Sequence, residues 1–131
     1  MKKFALFMSV ITTLFTFSIG KPTYAKYWQM TLNPFTMWSQ ESQNWDTKDF
    51  GGNSGYISLT KIDDIDSYYF VGRAVNSNGE IRSTRALCHQ GGPNVGVTEQ
   101  DMENGYKYWL DGYNENFKTS YVWAYGNFGW Y

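Results

Sequence analysis

From Tyr56 onward the chain is cut into short runs of β-favouring residues by clusters that form turns, and this rhythm leaves few architectures open. Tyr56 to Thr60 alternates Ile57 and Leu59 against Tyr56, Ser58 and Thr60. Ser67 to Val75 is a second run, and Asn76-Ser77-Asn78-Gly79 then supplies a pair, Asn78-Gly79, that tolerates positive φ before a return run from Glu80 to Cys88. That pattern predicts a hairpin. Gly91-Gly92-Pro93, Glu103-Asn104-Gly105 and Asn114-Glu115-Asn116 punctuate the later runs at Asn94 to Thr98, Tyr106 to Tyr113 and Thr119 to Phe128. No apolar period of 3.6 runs through the chain after Lys26. Short strands at such spacing predict an all-β fold, a small antiparallel β-sandwich of six or seven strands.

Two further segments precede this core. Residues 26–55 are rich in Gln, Ser and Asn with scattered tryptophans, and are expected to be irregular or partly stranded, ending in a Gly51 to Gly55 link. The sandwich core is expected over 56–131. Residues 1–25 read as a signal peptide: Lys2 and Lys3 form the n-region, Phe4 to Ile19 the apolar stretch, and Thr23-Tyr24-Ala25 the small-x-small site, with cleavage after Ala25. The apolar stretch is shorter than the roughly 20 residues that span a bilayer. A secreted, extracellular protein without stable membrane insertion is therefore expected.

Composition narrows the class of partner. Aromatic residues make up 20% of the chain, and rings that each bury roughly 150–250 Å² can replace many leucines in a core. The net charge is −1, and loss of Lys2, Lys3 and Lys21 with the signal peptide leaves the remainder more acidic. An acidic domain is a poor binder of phosphate backbones, so nucleic acid is not an expected partner. Cys88 is the only cysteine, so no internal disulfide can form and stability must come from packing. An exported domain without disulfides, behind a short dibasic n-region, suggests a Gram-positive bacterium.

Catalytic and metal constellations find little support. Cys88 and His89 are adjacent on an expected strand, where consecutive side chains point to opposite faces, so they cannot form a thiolate-imidazolium pair. No second histidine exists to replace His89. Two acidic groups, Asp63/Asp64/Asp66 and Glu99/Asp101/Glu103, lie in loops where calcium binding or a glycosidase carboxylate pair can be entertained, but neither has the ligand spacing of a calcium loop. There is no nucleophile elbow, phosphate loop or metalloprotease motif. The expectation is no enzyme, no metal and no cofactor.

The aromatic C-terminal stretch YVWAYGNFGWY carries the better functional hint, with six rings in eleven residues. Tyr121, Trp123 and Tyr125 share one face of the expected strand and Val122, Ala124 and Gly126 the other. If the small residues pack inward, the three rings form an exposed platform suited to sugar faces. Because stripes of large rings on strands usually pack, they are expected to lock the sandwich, leaving Phe128, Trp130 and Tyr131 as the exposed contact surface. The candidate binding residues are thus Trp123, Phe128, Trp130 and Tyr131.

The stretch YKYWLDGYNENFKTSYVWAYG, with its strand, Asn-rich turn and Ser-Tyr strand start, resembles the C-terminal half of small secreted proteins of Gram-positive bacteria and is similar in layout to the lactococcin-type bacteriocins. The resemblance implies a β-sandwich without cysteine bridges that acts on cell-wall synthesis by binding lipid II. No binding residue carries over from it. Three functions follow as expectations: a non-enzymatic, bacteriocin-like competition protein acting at the cell envelope; a carbohydrate- or cell-wall-binding module using surface aromatics; and a hydrolase using the acidic loops. The first is favoured, and the expected partner is a cell-wall precursor or polysaccharide.

Overall fold

The computed structural model describes residues 26–49 and 51–131; the expected signal peptide lies outside the described residues. Its strands, in chain order, are β1 (Lys26–Leu32), β2 (Ser39–Thr47), β3 (Ser54–Ile62), β4 (Tyr69–Val75), β5 (Ala86–His89), β6 (Val95–Thr98), β7 (Lys107–Asn114) and β8 (Val122–Trp130). They form two antiparallel sheets, β1-β8-β3-β6 and β2-β7-β4-β5, packed as a sandwich. The strand count is eight, where six or seven were expected, because residues 26–55 contribute β1, β2 and the start of β3. β1 lines up along β8 from Lys26↔Phe128 to Leu32↔Val122, and β2 pairs with β7, so this segment belongs to both sheets.

The expected hairpin forms between β4 and β5, but its return strand is shorter than the expected Glu80 to Cys88: regular pairing runs only from Tyr69↔His89 to Gly72↔Ala86, with an isolated bridge at Val75↔Ile81 nearer the turn. At its tip Gly79 takes the positive φ, at 78°, while the Asn76 side chain accepts the Asn78 and Glu80 amides. It is the one connection between consecutive strands of the same sheet; the others pass from one sheet to the other. Two open sheets leave four edge strands, β1, β6, β2 and β5, and exposed edges invite pairing with other chains. Here the edges face each other and are closed by side chains. Asn44 of β2 mimics a strand residue, its amide donating to the Gln29 carbonyl at 2.8 Å and its oxygen accepting the Gln29 amide, while Glu41 accepts the Thr31 amide at 2.7 Å. On the opposite side Thr84 donates to the Thr98 carbonyl and its hydroxyl accepts the Thr98 amide.

The core explains why β8 faces as it does. Trp28 on β1 lies directly across from Gly126, and a Cβ at Gly126 would stand 2.0 Å from the Ser58 carbonyl oxygen and 3.0 Å from the Trp28 indole nitrogen. Trp28 therefore fills the space that Ala124 and Gly126 leave, donates its N–H to Ser58 O at 3.1 Å and stacks on Phe70 of the other sheet at 4.6 Å. Phe70 in turn lies over Gly112, where a Cβ would meet its ring at 2.2 Å. Large rings from one strand are thus accommodated by missing side chains on the next, which is how close packing is reached with few aliphatics.

The inward side of β8 continues past Gly126 to Phe128 and Trp130, both in the core. This corrects the expectation that Phe128, Trp130 and Tyr131 form an exposed surface. Strand parity decides it: once Val122 and Ala124 face inward, Phe128 and Trp130 must follow. Trp130 donates its indole N–H to the Tyr108 carbonyl at 3.0 Å, satisfying its polar atom within the core. Tyr131 is held by its backbone. Its N–H donates to Glu99 and to Ser54 O, and its carbonyl oxygen accepts from the buried Lys48 ammonium, which also pairs with Glu99 and the Gly52 carbonyl. The same parity reverses the expectation for Tyr121, Trp123 and Tyr125, which point away from the core.

Candidate functional site

The outer face of the β1-β8-β3-β6 sheet carries a short row of rings. Trp123 and Tyr125 on β8 alternate with the inward Val122, Ala124 and Gly126, and Tyr27 on β1 alternates with the inward Trp28. The Trp123 and Tyr125 centroids are 4.9 Å apart at 48°, and those of Tyr125 and Tyr27 are 5.8 Å apart at 40°. Trp123 is 39% exposed, Tyr27 51% and Tyr121, just ahead of the strand, 67%. Register sets polar side chains beside the rings: Thr31 lies opposite Trp123, Gln29 and Lys61 flank Tyr125, and Asn127 sits between Tyr27 and Ser58. The Tyr27 hydroxyl reaches the Gln29 side-chain oxygen at 3.4 Å. The result is a twisted aromatic strip edged by amides and hydroxyls, with Lys61 as a nearby cation.

Of the four candidate residues from sequence, Trp123 lies on this face, while Phe128 and Trp130 lie beneath it on the inward side of the same strand. Tyr131 is buried at the strand's end with its ring stacked on Tyr56 at 5.8 Å, and burial raises its phenol above the ordinary tyrosine range. Tyr27 was not singled out, although the alternation in KYWQMTL of Tyr27, Gln29 and Thr31 against Trp28, Met30 and Leu32 is a period-two signal. The expectation of an irregular or partly stranded segment over 26–55 assigned no strand face to it.

The remaining chemical candidates are accounted for elsewhere. Cys88 is buried, its sulfur 3.4 Å from the Ile57 carbonyl, and burial pushes its thiol up to about 12. His89 faces outward and stacks on Tyr68 at 5.6 Å, so the two side chains are on opposite faces, as adjacent strand positions require. Asp64 accepts from the Ser67 hydroxyl at 2.6 Å and pairs with Lys118 at 3.1 Å; these contacts, the hydroxyl first, hold its carboxyl below the ordinary range. Glu99 is buried against Lys48. Asp101 and Glu103 instead border an open polar cleft of 310 Å³ with Arg82, Tyr106 and Lys107, a mixed-charge lining. Among the described residues no group of three or more His, Cys, Asp and Glu side chains stands where it could hold a metal ion.

On the opposite sheet, Arg73 lies over the Trp38 ring at 3.6 Å and donates to Asp111 at 3.1 Å. Burial raises the Asp111 carboxyl, and the guanidinium offsets part of that rise. On this side Trp38 is also met edge-on by Tyr113 and Trp45 lies under Lys107, while Tyr69 on β4 keeps 40% of its surface exposed. What distinguishes the β1-β8 strip is that its rings stand in line with polar side chains beside them. Comparison with known proteins adds no relative: no family model matches the chain, and neither a curated protein nor a solved structure does.

Proposed function

We propose that this is a secreted, non-catalytic carbohydrate-binding module that takes a glycan of the cell envelope on the ring row Trp123, Tyr125 and Tyr27. The observation that carries the reading is that these rings stand in line on the solvent side of one sheet, while the core takes its own rings, Trp28, Phe128 and Trp130, from the inward side of the same strands. A pyranose presents apolar C–H faces and hydroxyl edges. The faces match aromatic rings, and the edges match Gln29, Thr31 and Asn127, the combination of apolar lining and a few placed polar groups expected of a small-ligand site. Successive rings are tilted by 48° and 40° rather than coplanar. A tilted row suits a single twisting glycan chain better than the flat face of a crystalline polymer.

A bacteriocin-like competition role would use the same face on the envelope glycan or wall precursor of neighbouring cells. Growth inhibition by the purified protein separates the two readings. The binding reading itself is tested by retention on purified peptidoglycan and on soluble wall polysaccharide. Trp123→Ala should weaken retention by about thirtyfold, corresponding to a ring anchor of about 2 kcal/mol, with the fold intact. Unchanged retention in Tyr27→Ala/Trp123→Ala would refute the face.

A further inference from the structure

The end of the sandwich where β1, β3 and β7 finish collects three loops, and each projects an apolar side chain into solvent. Phe35 in the β1-β2 loop is 51% exposed, Ile65 in the β3-β4 loop 98%, and Phe117 in the β7-β8 loop 65%. Exposed loop tips are ordinarily small and polar.

These loops are not slack. The Phe35 N–H donates to the Lys118 carbonyl at 2.8 Å, and the Lys118 ammonium pairs with Asp64 at 3.1 Å and Asp66 at 3.6 Å, on either side of Ile65. Asn116 accepts the Tyr68 and Tyr69 amides through one side-chain oxygen. Residues 116–118 therefore tie all three loops together, and the Phe35 and Phe117 rings meet at 5.9 Å. Phe35 and Thr36 also hold left-handed backbone conformations, with φ of 64° and 53°, which are costly for residues with a Cβ and persist only where the surroundings enforce them. The molecule thus keeps the rings and Ile65 outward in a fixed arrangement.

We infer that this loop end docks at the membrane–water interface, with Phe35, Ile65 and Phe117 entering the headgroup and outer acyl region of a bilayer. The features that favour a bilayer over a protein partner are shape and charge. The apolar groups are one small ring pair, Phe35 and Phe117, and a separate tip, Ile65, set between Asp64 and Asp66, whereas a protein interface centres on a continuous, desolvated apolar patch. A fluid interface accepts isolated apolar tips and hydrates the polar atoms between them. The same end carries Asp63, Asp64, Asp66 and Glu115 around Lys118, so attraction to anionic lipid cannot drive the contact. The lipid surface that fits is electrically neutral, and binding is apolar in character. This site is separate from the ring row and does not depend on the glycan reading.

The test is co-sedimentation of the full chain with phosphatidylcholine vesicles and with phosphatidylglycerol vesicles at low and high salt. Variants share the same N-terminal segment with the wild type, so its own affinity for lipid cancels in the comparison. Ile65→Ser and Phe117→Ser should each lower partitioning into phosphatidylcholine by about tenfold, and Phe35→Ser/Ile65→Ser/Phe117→Ser by a hundredfold or more, with little dependence on salt. Circular dichroism melting of the same variants should change little, since Ile65 is free in solvent and Phe35 and Phe117 lose only their mutual surface contact. Partitioning equal to wild type in the triple variant would overturn the inference. So would binding confined to phosphatidylglycerol and lost in high salt, or a wild-type dimer in sedimentation velocity that Ile65→Ser dissolves.

Discussion

Truncating two tryptophans seven residues apart on β8 should have opposite consequences. Trp130 is 1% exposed, packs on Phe128 at 5.2 Å, lies against Gly55 and donates its indole N–H to the Tyr108 carbonyl. Trp130→Ala removes that whole ring from a closed core and strands the Tyr108 carbonyl, a change that costs roughly 3–5 kcal/mol. Against the roughly 5–15 kcal/mol that holds a domain together, this is a large share. With about 4–8 °C of melting temperature lost per kcal/mol in a domain of this size, the midpoint should fall by on the order of 15–30 °C. Trp123 touches Tyr125 on the outer face and keeps 39% of its surface in water. Trp123→Ala should cost no more than about 1 kcal/mol, or less than about 8 °C. Far-ultraviolet circular dichroism on heating, supported by urea titration, measures both. If Trp123→Ala destabilises as much as Trp130→Ala, the inward and outward faces of β8 have been assigned the wrong way round.

Two other perturbations probe the interior. Cys88, with its thiol pushed up to about 12 by burial, keeps its proton in the fold, whereas an unfolded cysteine loses it near pH 8.5. The resulting stability is complete below about pH 8.5 and is lost as pH rises toward 12, and at pH 8 a thiol-reactive dye should label native protein only at the rate of opening, accelerating sharply in denaturant. Labelling at the free-thiol rate without denaturant would contradict the burial. The Lys48 and Glu99 pair anchors the Tyr131 backbone from inside the protein. Lys48→Met should cost about 3–5 kcal/mol in urea unfolding by leaving a buried carboxylate without its cation, and Lys48→Met/Glu99→Met should recover much of the loss. A double variant no more stable than the single one would argue against an ion pair there.

How much of this was legible in the sequence depended on whether the deciding contact was local. The β4-β5 hairpin was readable because Asn76 to Gly79 sets its own turn, and the opposed faces of Cys88 and His89 because strand alternation is local too. The two faces of β8 were also separable, but which one turns inward was not. That choice rests on remote contacts: a side chain at Gly126 would run into the Ser58 carbonyl of β3 and press on the Trp28 indole of β1. The habit of assigning large rings to the core misled at Trp123 because the core drew its rings from β1, β4 and the far end of β8. The Glu99 side chain looked like one of three loop acids for a similar reason: its partner, Lys48, is remote in sequence. β2 was hidden by polar residues such as Asn44, whose amide substitutes for a ladder bond and leaves no apolar period to detect.

Docking of a glycan on the ring row of β1 and β8 is read residue by residue from amide chemical-shift mapping during titration with soluble peptidoglycan fragments. Saturable shifts concentrated at Tyr27, Gln29, Trp123, Tyr125 and Asn127, and reduced in Trp123→Ala, are the expected result. Shifts that saturate at the Asp101 and Glu103 cleft instead, or no shifts on the β1-β8 face at millimolar ligand, would contradict it.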